Sequence, residues 1–193
     1  MIGEFGMKKL LGILIVALLL VGCSAADDKE QKIVDEGKVK EVKEQQALSM
    51  QVLKADEENG VTLEEEMYQQ LSGLVEANPN IGVPEDFSIH GIDLVKTNTG
   101  ESVMLFLGIN RLEKGVKNIT LEYTLGVETE GTVEYIFNGE EINLLEPFAG
   151  TIHPNHAIPF TVPVTPEGEE LLRLMTEENK TMKIENATFE LEK

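Results

Sequence analysis

From Phe87 onward the apolar residues recur at every second position, the period of a strand with one face toward a core. Phe87 and Ile89 share one parity and Ile92 and Leu94 the other, with Gly91 between them where a bulge re-phases the strand. Asn98-Thr99-Gly100 reads as a hairpin turn into Val103 to Ile109, an apolar run suited to a strand buried on both faces. Ile119, Leu121, Tyr123, Leu125 and Val127 then alternate with Thr120, Glu122, Thr124 and Gly126, which predicts a sheet with one wet face. Val133, Tyr135 and Phe137 follow, with Asn138-Gly139 expected to end that strand. Ile158, Phe160, Val162 and Val164 alternate again, while Pro159 and Pro163 share the opposite parity, so this strand is expected at an edge. Met182, Ile184, Phe189 and Leu191 form a closing strand with a parity switch near Asn186.

Before residue 87 the pattern is helical. Ala47 to Leu53 fits either period, with helix favoured. Thr62-Leu63-Glu64-Glu65 reads as a capping box, and behind it Leu63, Met67, Leu71, Leu74 and Val75 recur at helical spacing until Asn78-Pro79. Met67 and Tyr68 are expected in the core. Late in the chain, Thr165-Pro166-Glu167 has the form of an N-cap followed by proline at the first helical position, carrying Leu171, Leu172 and Met175. Six or seven short strands over roughly a hundred residues predict a mainly β fold, an antiparallel immunoglobulin-like β-sandwich with one or two helices. With no Trp and one Cys it is not an antibody-type domain. The expected boundaries are a helical segment at 47–80 and the sandwich domain at 81–193.

The amino terminus has another character. Met7-Lys8-Lys9 precedes Leu10 to Val21, an apolar run of twelve residues containing one Gly, and then Gly22-Cys23-Ser24. This is a basic n-region, an apolar h-region and a small residue before a cut. Twelve helical residues rise about 18 Å, short of a hydrocarbon core of about 30 Å. Leu20-Val21-Gly22-Cys23 resembles the lipobox of bacterial lipoproteins, in which the cysteine takes a diacylglycerol and the signal peptidase cuts before it. The resemblance implies cleavage between Gly22 and Cys23 and lipidation of Cys23, with residues 1–22 as signal peptide and 23–46 as tether. The rival reading is a short membrane-proximal helix with a chance cysteine. Met1 and Met7 both stay open as the start. With Cys23 lipidated no thiol remains for a disulfide, so the domain relies on its core. Two or three acyl chains anchor stably where one is marginal, at about 0.8 kcal/mol per buried methylene.

Charge narrows the partner class. Against 35 Asp+Glu stand 16 Lys+Arg, a formal charge of -19 that repels polyanions and argues against nucleic acid. Ser24 to Gln46 mixes seven acids with five lysines and reads as a tether averaging about 25 Å end to end if flexible. Residues 47–193 hold 27 acids and 9 bases, net -18, which disfavours lying flat on an anionic leaflet. The commoner meaning of such an excess is a solvated surface, the alternative a basic partner or cations.

The layout is similar to that of Gram-positive bacterial surface lipoproteins with a telokin-like, immunoglobulin-like domain. The likeness lies in the lipobox at Leu20 to Cys23, the charged tether, the Phe87 to Ile109 hairpin and the Ile152-His153-Pro154-Asn155 to Pro163 turn and strand. A second resemblance, to the domain repeated in S-layer assembly proteins, rests on Ile89-His90-Gly91-Ile92 and Leu105 to Asn110. These likenesses imply a fold and a place, the extracytoplasmic face of the cell membrane, and no active site.

The chemistry-bearing residues are sparse. His153 and His156 form an H-x-x-H, but Pro154 and Asn155 suggest a turn and no spacing supplies a third metal ligand. Glu140-Glu141 and Glu169-Glu170 are expected to be solvated, since neighbours on a strand face opposite ways. Glu64-Glu65-Glu66 opposes a helix dipole. No calcium loop, G-x-S-x-G or phosphate-cradling loop is present. Asn118-Ile119-Thr120, Asn179-Lys180-Thr181 and Asn186-Ala187-Thr188 match the glycosylation sequon by chance if the lipobox is bacterial. The expectation is a non-enzymatic binding or structural module, without cofactor, held to the membrane through Cys23 and meeting a protein or envelope polymer. An ion or small-solute binder using His153 and His156 is the alternative, with an envelope hydrolase working through carboxylates behind it.

Overall fold

A computed structural model describes residues 46–193; Gly22, Cys23, the signal segment and the tether through residue 45 lie outside the described residues. In chain order the elements are β1 (Ser49–Met50), α1 (Lys54–Glu58), α2 (Glu66–Ala77), β2 (Phe87–Lys96), β3 (Ser102–Asn110), β4 (Val116–Thr129), β5 (Thr132–Leu144), α3 (Glu146–Ala149), β6 (His156–Pro163), α4 (Pro166–Leu174) and β7 (Lys180–Leu191). The fold is mainly β. One sheet has the order β1-β6-β3-β2 and the other β5-β4-β7.

The sheets meet through Phe106, Ile158, Phe160 and Val162 on one side and Leu121, Tyr123, Leu125 and Phe137 on the other. Phe106 is at the centre, stacked on Phe160 at 5.2 Å and edge-on to Tyr123 at 5.4 Å, geometries that favour the ring quadrupoles. The opposite face of the first sheet is covered by α2, whose Tyr68, Leu71 and Val75 pack on Leu105, Leu107 and Ile109. β3 is therefore buried on both faces, as its unbroken apolar run predicts.

The bulge at Gly91 forms: the β2–β3 register shifts between Gly91 and Asp93. Gly91 also lies in the strand where Met104 and Phe106 come closest, so a Cβ there would meet Met104 Cε at 2.9 Å. The Asn98-Thr99-Gly100 turn closes with Gly100 N–H donating to Thr97 O at 2.9 Å. Thr165 caps α4 by accepting from Gly168 N–H at 3.1 Å.

Several expectations are corrected. Ser49–Met50 is a strand, because its backbone completes the start of β6: Ser49 N–H donates to Asn155 O and Gln51 N–H to Ala157 O. That pairing is parallel, so the first sheet is mixed where a purely antiparallel one was expected. The capping box does not form. The helix starts later, at Glu66, with Glu65 at its N-cap and no side-chain cap, while Thr62 Oγ1 accepts from Glu64 N–H in a local turn. In consequence Leu63 and Met67 are 45% and 43% exposed, and Tyr68 takes the core position.

Asn138-Gly139 does not end a strand either. β5 runs through it as a bulge, with Gly139 at φ 70° and its N–H donating to Thr124 Oγ1. The hairpin turn before it is Glu130-Gly131, both at positive φ as a tight two-residue turn requires.

The edge reading of β6 holds from Ile158 onward, β1 covering only its first two residues. Since Ala157 O points to β1, the odd residues of β6 turn their backbone groups away from β3. Pro159 and Pro163 therefore lack donors that the ladder with β3 never needed.

Candidate functional site

β7 pairs with β4 on one side and, among the described residues, with no strand on the other. Its inward residues are read from their partners: Met182 lies opposite Leu125, Ile184 opposite Tyr123 and Leu191 opposite Val116, all three buried on β4. Yet Met182 is 56% exposed, Ile184 39%, Phe189 36% and Leu191 49%. Across from β7, Phe87 of β2, the other sheet's edge, comes within 6.4 Å of Phe189 between ring centroids and still leaves the row half-exposed. An apolar row beside a line of unpaired backbone groups is the surface that proteins ordinarily hide.

The bulge on β7 shapes this row. Asn186 takes φ 51°, and between Glu185 and Thr188 the strand holds one residue more than β4 opposite it. Met182 and Ile184 before the bulge thus share a face with Phe189 and Leu191 after it, while Lys183, Glu185, Thr188 and Glu190 share the other face. Lys183 and Glu185 make an ion pair at 2.7 Å, and Thr188 hydroxyl bonds that of Thr120 at 2.8 Å. β7 carries two lysines and two glutamates, whereas β5, the opposite edge of the same sheet, carries Glu134, Glu140 and Glu141 and no base. Glu140 and Glu141 are exposed.

His153 and His156 are brought together, ring centroids 5.7 Å apart and nearly perpendicular. The turn expected at Pro154-Asn155 is present, with His156 N–H donating to His153 O at 3.1 Å. The ring of His156 uses Nδ1 against Pro154 O at 2.8 Å. Among the described residues no group of three or more His, Cys, Asp or Glu side chains is placed to hold a metal.

Sequence reading missed two polar centres. Lys96 ends β2, Ser102 begins β3 and Glu169 lies in α4. The Ser102 hydroxyl and the Lys96 ammonium both donate to Glu169, the latter at 2.8 Å, and Lys96 also donates to Ser102. The Lys96 hydrogen bond, then Ser102, hold the Glu169 carboxyl below its ordinary 4.5. The Ser102 hydroxyl is thus given to a carboxylate that the Lys96 ammonium also pairs with. The cluster works as a clamp between the β2–β3 hairpin and α4. A cleft of about 390 Å³ opens beside it, lined by Gly100, Pro163 and Pro166.

Arg111 follows β3 and is buried, and among the described residues no carboxylate pairs with it. Its guanidinium donates to Gln46 O at 2.8 Å, to Pro79 O at 2.5 Å and twice to Ile81 O, at 3.0 and 3.2 Å. It ties the point where residue 46 enters the domain to the loop after α2. Beside that loop a groove of about 480 Å³ is lined by Leu74, Ile81, His90 and Ile92. Burial, then the charge of Lys180, push the His90 imidazole below 6.5. Four carbonyl-directed bonds from one side chain leave no sequence signature, and neither does a lysine–serine–glutamate meeting across 73 residues.

Comparison with known protein families, curated proteins and solved structures found no match to this chain.

Proposed function

We propose that this protein is a lipid-anchored, extracytoplasmic module that presents an immunoglobulin-like sandwich to a protein or cell-envelope partner and acts by binding or scaffolding rather than catalysis. The observation that carries the binding part is the open β7 edge, where half-exposed Met182, Ile184, Phe189 and Leu191 flank unpaired backbone groups. Such an edge takes a partner by strand addition, with backbone bonds for affinity and side-chain pockets for specificity. What supports the anchor is the lipobox-like Leu20 to Cys23 behind an apolar run too short to span. The immunoglobulin-like reading is supported by strand order. β2, β3 and β6 share a sheet as the first, second and fifth strands of that fold do, and β4 with β7 share the other as the third and sixth do. A membership among Gram-positive surface lipoproteins belongs to the same proposal.

The test uses the full chain made in a Gram-positive host. A mature mass starting at diacylglyceryl-Cys23, lost in Cys23→Ser, is expected; a natural product that keeps residues 1–22 overturns the anchor. A photo-cross-linker at Ile184 in intact cells is expected to capture a partner, and its silence overturns the binding surface. A second reading, ion binding at His153 and His156, is favoured by their 5.7 Å separation alone. Zn²⁺ that raises the unfolding temperature of the parent and not of His156→Ala would establish it.

A further inference from the structure

We infer that the partner of the β7 edge is a second copy of this chain, paired antiparallel about a two-fold axis through Asn186 and Ala187. This rests on the reading of β7 as an interaction surface and is independent of the lipid anchor. A two-fold axis perpendicular to a sheet keeps each residue on its own face. In an unbroken strand, pairing residues whose numbers sum to an odd value would bring inward and outward side chains together, because successive residues alternate faces. The bulge at Asn186 removes that conflict, since the inward set changes parity there. About this axis Met182 meets Leu191 of the second copy and Ile184 meets Phe189, apolar against apolar on the inner face. On the outer face Lys183 meets Glu190, and Glu185 meets Thr188. The strand is its own complement in both polarity and charge.

Charge selects this edge over β5, the other edge of the same sheet. Residues 47–193 carry net -18, so two copies repel across most of their surface. β7, with two lysines and two glutamates, is a neutral strip, and each two-fold pairing brings in two Lys183–Glu190 contacts. The β5 edge carries three glutamates and no base, so self-pairing there adds like charge. The β6 edge has Pro159 and Pro163 facing outward where donors are needed. Pairing through β7 joins two three-stranded sheets into one of six and covers the exposed apolar row of each copy with that of the other.

The test is register-specific. In the full chain, Met182→Cys together with Leu191→Cys places thiols opposite one another across the axis, while within one strand they are nine residues apart and cannot meet. The parent, whose one cysteine is Cys23, sets the background. A disulfide-linked dimer well above that background is expected for the double variant and not for either single one. Lys183→Glu and Glu190→Lys are each expected to weaken self-association about tenfold, and the two together to restore it, because each cross-strand ion pair is lost and then rebuilt in reverse. A chain monomeric by sedimentation equilibrium with no disulfide above background overturns self-pairing. If the β7 cysteines then link to a partner of another mass, the interaction surface survives and only self-pairing falls. If they link to nothing, both fall.

Discussion

Two buried tyrosines show how one hydroxyl decides the cost of a substitution. Tyr68 is fully buried, donates to Asp56 Oδ2 at 2.7 Å and accepts from Leu53 N–H at 3.1 Å. Burial, partly offset by the Leu53 amide, pushes its phenol far above the usual 10. Removing that oxygen strands a buried N–H, so Tyr68→Phe is expected to lose about 1–3 kcal/mol in urea unfolding. Tyr123 is nearly as buried, burial pushes its phenol up to about 12, and among the described residues its hydroxyl has no partner. Tyr123→Phe is therefore expected to change stability by less than about 0.5 kcal/mol, or to raise it. Equal losses in the two variants would contradict this account. Arg111→Lys is expected to cost about 2 kcal/mol, because a single ammonium cannot reach the three carbonyls the planar fork spans.

At the scale of elements, the clamp at Lys96, Ser102 and Glu169 joins a hairpin to a helix and makes that contact acid-sensitive. The folded-state pKa of Glu169 lies below its unfolded value, so the clamp contributes fully above about pH 4.5 and is lost as pH falls through the folded value. Glu169→Gln is expected to be less stable than the parent at neutral pH and to lose less on acidification from about pH 6 to about pH 3. Parallel pH profiles of the two unfolding temperatures would exclude the clamp as a titrating contact. The four sheet edges are managed differently. β6 is blunted by prolines and capped by β1, β5 carries acids and a bulge, β2 is neutral with its large apolar residues half-buried, and β7 combines neutrality with an exposed apolar row.

For the molecule as a whole, the acidic excess is the dominant long-range term. Net -18 over 147 residues opposes the compact state by self-repulsion, which salt screens within a Debye length of about 10 Å at 0.1 M and about 3 Å at 1 M. The ion pairs that salt also weakens are, among the described residues, mostly exposed, where such pairs contribute little. The calorimetric unfolding temperature is therefore expected to rise as NaCl is added from low ionic strength, and a fall would show that the pairs outweigh the repulsion. The same screening should strengthen association between copies if the β7 pairing holds.

Much of the framework was legible along the chain. The two-residue period located β2, β4, β6 and β7, an unbroken apolar run located β3, Gly91 and Asn186 marked the re-phasing of β2 and β7, and Thr165-Pro166 marked the start of α4. These are local signals: they depend on which side chains alternate and which backbones accept a positive φ or a cap. The expected lipidation at Cys23 is of the same kind, a short motif read in place. What local signals could not supply was competition between distant segments. Ser49–Met50 became a strand because β6 offered it a partner about a hundred residues away, and Thr62 gave up its capping role because Tyr68, rather than Met67, reached the core. Asn138-Gly139 has a turn sequence, yet the pairing of Phe137 and Glu140 with β4 on either side turned it into a bulge. The clamp at Glu169, the carbonyl cage of Arg111 and the exposure of β7 belong wholly to the tertiary structure. Alternation in Met182 to Leu191 shows that one face is apolar, but whether anything covers that face depends on where the opposite sheet ends.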